Sequence, residues 1–185
     1  MAAISTLKSY EERIGSHNGY LAELLGLEGL AARLFFSQYY IDADWHGRKP
    51  RIKPDYINSA LDIGYTILFN FIDSLLNVYG FDTYCGVLHK EFYMRKSLVC
   101  DLMEPFRFLV DKQVRKSVNL RQCIPDDFEV INGRYILKWK KNPSYVRFLI
   151  QPILENKMGI FRYIQSYYRA FMKGKKAEDF PRFFL

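Results

Sequence analysis

A chain of 185 residues with 49% hydrophobic and 17% aromatic side chains can bury one substantial core and is too apolar to stay disordered. Its 27 Lys and Arg against 20 Asp and Glu give a formal charge of +7, which points toward a polyanionic partner. No uninterrupted apolar run approaches the about 18 residues that cross a bilayer. Met1 to Ser16 carries Lys8, Glu11, Glu12 and Arg13 in place of a signal core, so a cytoplasmic protein with no membrane role is expected.

Residues 3–16 suit a short leading helix closed near Gly15, with the linker to residue 19 forming a leading segment apart from a main domain over 20–185. A second helix is expected from Tyr20 to about Asp44, its apolar positions including Leu24, Leu27, Leu30, Leu34, Phe35 and Tyr39. His46 to Pro54 holds four basic residues and two prolines and reads as a loop. Asp55 to Tyr79 reads as a long apolar helix stopped by Gly80. Asp82 caps a short expected turn of helix that ends before His89. Another helix is predicted from Ser97 past Pro105 to about Lys116.

Farther on, Asn132-Gly133 between Phe128–Ile131 and Arg134–Lys138 is a strong hairpin signal. A last helix opens at Asn142-Pro143 and runs to about Lys173, kinked at Pro152, before an extended tail. The whole is a mainly α fold with one small β-hairpin. Cys85, Cys100 and Cys123 are odd in number and widely spaced, so each is expected to be a small buried hydrophobe in a reducing compartment.

The charge is uneven. Residues 134–176 hold eleven Lys and Arg against one acid, Glu155, a local +10 that leaves −3 for the rest of the chain. Such a segment repels itself unless a polyanion covers it, with nucleic acid the first candidate and an anionic membrane surface the second. A merely solvated face is the plain alternative.

Four residues stand in company that chemistry would explain. Glu28, in LLGLEGLAARLFF, is a carboxylate on an apolar helix between two glycines, Gly26 and Gly29. Burial would require it to be paired, protonated or on a metal, and the glycines suggest close approach to the backbone. Pairing with Arg33 is the bland possibility. His89 follows GVL, and a lone histidine is more often structural than functional. Asp101 and Glu104 are spaced i, i+3, sharing a helix face that Arg107 continues, beside the irregularity Pro105 imposes.

The stretch GVLHKEFYMRKSLVCDLMEPFR resembles the signature of the universal CRISPR-associated integrase family. LLGLEGLAA is similar to that family's first motif, RIKPDYINSALDIGYTIL to the segment between them, and DFPRFFL to its tails. The resemblance implies the helical catalytic domain of that family and a metal-dependent DNA integrase and endonuclease. In such an enzyme a fragment's 3′-hydroxyl attacks a phosphodiester at a repeat boundary. It implies Glu28, His89 and Glu104 as metal ligands, with Asp101 a supporting or alternative acid of the catalytic set. Two oxygen donors and an imidazole suit Mg²⁺ or Mn²⁺ better than zinc.

The implied partner is double-stranded DNA, both the fragment and the repeat with its leader, held on phosphates by basic residues. Those expected are Arg48, Arg51, Lys90, Arg95, Lys96, Arg107, Arg162, Arg169 and Lys173, with Lys176 continuing the last track. A two-ended reaction implies a homodimer or dimer of dimers. Family members commonly carry a β-rich domain ahead of the first motif, which supports dimer contacts and a small ferredoxin-like adaptation partner. About 20 residues precede that motif here, so a compact member without that domain is expected. A transposon-type integrase of the same superfamily and a non-catalytic DNA-binding helical module are the alternatives.

Overall fold

The computed structural model describes residues 2–15, 21–40, 45, 47–89 and 93–182. The arrangement is organised by α3 (Tyr56–Val78), a helix of 23 residues. Asp55 holds extended backbone and accepts the amide of Asn58, an N-cap that starts the helix where its sequence says it should. Gly80 ends it: its φ of +74° suits a residue without Cβ, and the next amide, Phe81, donates to Leu76 O at 3.2 Å. Between these stops Ile57, Leu61, Tyr65, Leu68, Ile72 and Leu76 recur at three and four residues and are buried.

By length and composition alone α3 is apolar enough to cross a membrane, although its apolar runs are interrupted, and its buried stripe packs into the protein core. Its polar side is committed to ion pairs, Asp62 with Arg48 and Asp73 with Lys96. Around it pack α4 (Ser97–Met103), α5 (Arg107–Asn119) and α6 (Asn142–Glu155). Gly64 lets α5 come close, since a Cβ there would stand 2.4 Å from Val110 Cγ1.

Ahead of α3, α1 (Ala2–Gly15) and α2 (Leu21–Tyr39) pack on each other. Thus α2 ends before Asp44, with Tyr40 in a turn. It meets the core through aromatic rings: Phe36 and Tyr40 lie 5.6 and 4.9 Å from the Trp45 ring. The hairpin forms as expected from β1 (Phe128–Ile131) and β2 (Arg134–Leu137), antiparallel with Phe128 opposite Leu137. Asn132 and Gly133 both have positive φ, 51° and 74°, as a type I′ turn requires.

Three further expectations fail. No helix forms over 82–88; Asp82 caps only the turn at Tyr84, because the amides beyond it are claimed by another element. The last helix, expected to be one, continues past Pro152 and divides at Asn156 into α6 and α7 (Lys157–Met172). At Asn156 the backbone leaves helical values, with φ −99° and ψ 7°, and the side-chain amide donates to Pro152 O at 2.8 Å beside the regular bond from its backbone amide. Of the cysteines only Cys123 is buried, and burial pushes its thiol up to about 12; Cys85 is exposed.

Candidate active site

α4 is fixed at its start by Lys96, whose ammonium meets Asp73 at 2.7 Å, and by Leu98, whose amide donates to Thr83 O. That anchoring directs Asp101, one turn into the helix, at the loop before it. Asp101 Oδ2 accepts the amides of Val87 (2.6 Å) and Leu88 (3.0 Å), and Oδ1 accepts that of His89 (3.0 Å). Three successive amides on one carboxylate are a strong, charge-assisted clasp. Gly86 makes the approach possible. A Cβ there would sit 2.6 Å from Ser97 Cβ, 2.7 Å from His89 O and 3.0 Å from Asp101 Oδ2.

The same Oδ1 lies 2.5 Å from His89 Nδ1. An ionised carboxylate only accepts, so Nδ1 carries a proton, and in the neutral imidazole Nε2 keeps its lone pair. This carboxylate–imidazole pairing is how proteins orient a metal-binding histidine. The imidazole side chain remains 22% accessible while that of Asp101 is 7% accessible, so the carboxylate is buried and the imidazole is not.

Glu104 opens a 3₁₀ turn, Glu104–Phe106, where Pro105 interrupts the ladder between α4 and α5. Both its carboxylate oxygens accept from Arg107 Nη1, at 2.9 and 3.0 Å. Burial works against the charge of Arg107, but Glu104, Tyr65 and Asp111 outweigh it and hold the guanidinium above the usual arginine range. Burial also raises the Asp111 carboxyl to about 6, although Tyr65, Arg107 and Arg48 pull it down.

Glu28 is exposed on α2, beside the stripe that Leu24, Leu27, Ala31 and Leu34 turn inward. The burial expected for it is therefore corrected, and among the described residues a Cβ on Gly26 or Gly29 would meet nothing within 4 Å, so no neighbouring element of the chain accounts for those glycines. His89 and Asp101 are brought together; Glu104 is joined to Arg107. Among the described residues no three His, Cys, Asp or Glu side chains gather closely enough to hold an ion. As donors, His89 Nε2 and the oxygens of Glu104 and Glu28 fit a hard divalent cation.

The basic residues divide into two groups. Arg48 is turned inward, its Nη2 2.5 Å from Asp62 and its Nη1 3.1 Å from Asn58 Oδ1; Lys96 and Arg107 are likewise engaged in ion pairs. Arg51, Arg95, Arg162, Arg169, Lys173 and Lys176 are exposed, and Lys90 lies outside the described residues. A cleft of about 730 Å³ between α2 and the body is lined by Gly29, Arg33, Trp45, Arg48, Lys49 and Arg107. Sequence reasoning missed Tyr65 and Asp111, whose contact spans 46 residues and leaves no periodic signal.

A family model described as CRISPR associated protein Cas1 matches residues 1–149. The chain is 37% identical over 129 residues to CRISPR-associated endonuclease Cas1 3 of Thermus thermophilus, covering 67% of this chain and 39% of that protein. It spans less than half the length of that curated relative. Among solved structures it is similar to a chain of a partial Cas6-RT-Cas1–Cas2 complex, with a TM-score of 0.87 and 26% identity over 99% of this chain and 59% of that one. A casposase bound to integration product gives a TM-score of 0.76 at 25% identity, covering 84% of this chain and 49% of that one. By the family match over 149 of its 185 residues and by its helical fold with one hairpin, the chain belongs to the Cas1 family of CRISPR-associated proteins.

Proposed function

We propose that this chain is a metal-dependent DNA integrase and endonuclease of CRISPR adaptation, which joins fragment 3′-hydroxyls to phosphodiesters at repeat boundaries. The observation that carries the reading is the Asp101 clasp, which fixes His89 with Nε2 free, in a chain of the Cas1 family. Glu28, His89 and Glu104 are the proposed ligands of Mg²⁺ or Mn²⁺; when bound, the ion would activate the hydroxyl and stabilise charge on the reacting phosphate.

The chain's own residues supply orientation. Asp101 keeps His89 in one tautomer and holds its loop against α4. Arg107 steadies Glu104 and also lines the cleft. The exposed Arg51, Arg95, Arg162, Arg169 and Lys173 are proposed to hold phosphates of double-stranded DNA, fragment and repeat alike. One chain carries one such ligand set, so joining both ends requires at least two copies, and a homodimer or dimer of dimers suits a two-ended task. Similarity to a chain of a Cas1–Cas2 complex supports a small adaptation partner as well.

Likeness to a casposase on its integration product supports a second reading, a transposon-type integrase using the same chemistry on other ends. A strand-transfer assay on supercoiled plasmid with and without the repeat tests both. Joining that needs Mn²⁺ or Mg²⁺ and prefers the repeat supports the first, and joining indifferent to the repeat supports the second. No joining or cleavage with either ion would leave a DNA-binding helical module.

A further inference from the structure

Glu104 stands at the joint between two helices, where the interrupted ladder does little to fix a side chain, and Arg107 holds it. What holds Arg107 is therefore part of the site. Its guanidinium lies over the Tyr65 ring, 4.7 Å from the centroid. The far end of that ring is tied by its hydroxyl, which donates to Asp111 Oδ1. Asp111 is four residues beyond Arg107 on α5, on the same helix face. Its carbonyl accepts the Tyr40 hydroxyl at 3.3 Å, which fixes that turn to the end of α2.

A second guanidinium, Arg48, lies over the same ring at 5.1 Å and is itself held on Asp62. Tyr65 is thus fixed at its hydroxyl by an acid and at its ring by two cations. A phenol and a carboxylate buried together are a poor way to fill a core, since an apolar pair would do so without desolvation. Their arrangement is explained by what the ring carries.

We propose that Tyr65 and Asp111 are positioning residues for the Glu104 carboxylate, acting through Arg107. The proposal rests on the reading of Glu104 as a metal ligand. Hydrogen-bonded supports behind a ligand typically change metal affinity by about 10–100-fold, and one acting through an intermediary belongs at the low end.

Mn²⁺ binding to the full chain, measured by titration calorimetry, tests this without reference to turnover. Tyr65→Phe keeps the ring and removes the hydroxyl; Asp111→Asn removes the charge. Each is expected to weaken Mn²⁺ about tenfold. Tyr40→Phe, which also loses a hydroxyl bound to Asp111 but at its carbonyl, is expected to bind as wild type does. In an Arg107→Ala background Tyr65→Phe should add no further loss, because the path through Arg107 is already cut. Unchanged Mn²⁺ affinity in Tyr65→Phe, or full additivity with Arg107→Ala, overturns the positioning role while the metal reading stands. A wild-type chain that binds no Mn²⁺ overturns both. Should Tyr65→Phe fail to fold, Asp111→Asn alone decides by the same rule.

Discussion

Replacing Asp101 by asparagine changes almost nothing in size and inverts half of what its side chain offers. The carboxylate accepts the amides of Val87, Leu88 and His89 and the imidazole Nδ1–H, spread over both oxygens. An amide retains one acceptor oxygen and turns an NH₂ toward donors that need an acceptor. Bonds to a charged group contribute about 1.5–3 kcal/mol each, but Val87 is exposed and Leu88 and His89 are half-buried, so water replaces part of the loss. The expected destabilisation is therefore about 2–4 kcal/mol for Asp101→Ala, below the simple sum. Asp101→Asn should fall within about 1 kcal/mol of it and not near wild type.

Urea unfolding gives the global value, and hydrogen exchange resolved at the amides of 87–89 gives the local one. Those three amides should lose protection in both variants while α3 keeps its own. Strand transfer should drop in both, yet by less than in His89→Ala, because the imidazole is still present though no longer held. Unchanged exchange at 87–89 in Asp101→Asn would refute the clasp as the organiser of this loop.

Gly86→Ala should disorganise the same loop from the other side, lowering stability by about 1–3 kcal/mol, since one of the atoms its Cβ meets is the His89 carbonyl and cannot swing away; thermal melts and the 87–89 exchange rates check it. The Asp111 carboxyl, normally near 3.8, sits at about 6 in the folded chain, so the fold binds an extra proton between those values. Stability then falls as pH rises from about 4 to 6, by about 3 kcal/mol from this group, and is flat above. Subtracting the pH profile of Asp111→Asn from wild type should leave that slope, and a difference independent of pH would contradict it. Replacing Arg162, Arg169 and Lys173 with alanine should reduce the slope of log affinity against log salt by about 0.9 for each B-DNA phosphate that is no longer neutralised. Fluorescence anisotropy over a salt series measures it, and an unchanged slope would return α7 to a solvated face.

Much of the fold was legible because local chemistry and global packing agree there. Asp55 caps α3, Gly80 ends it and Asn132-Gly133 turns the hairpin, each as its residue type dictates. Arg107 was read on the helix face of Asp101 and Glu104, but as a phosphate contact, so its ion pair with Glu104 was not anticipated. Where tertiary contacts override local preference the sequence was silent. The stretch 82–88 has a capped start and no helix, because Asp101, from the next element, takes its amides. Pro152 drew attention as the irregular point, but the break between α6 and α7 falls at Asn156, which no proline or glycine marks.

Glu28 was misread as buried because an apolar neighbourhood in sequence does not say which side of the helix faces the body; Leu27 turns in and Glu28, one residue on, turns out. Arg48 and Lys96 looked like free cations and are spent on Asp62 and Asp73, acids that lie on α3 and far off in sequence. The pairing of His89 with Asp101 was visible only as two residues of one motif, since the turn that joins them depends on Gly86.

We propose His89, oriented by Asp101, as a donor in a metal-dependent DNA-joining site. Strand transfer of a 3′-hydroxyl fragment into repeat-bearing supercoiled plasmid, titrated with Mn²⁺ for wild type and His89→Ala, tests it most directly. Joining is expected to saturate with Mn²⁺ in wild type and to be absent in His89→Ala at any Mn²⁺ concentration, despite a helical circular dichroism spectrum matching wild type. Joining by His89→Ala at the wild-type rate and the same Mn²⁺ midpoint would contradict it.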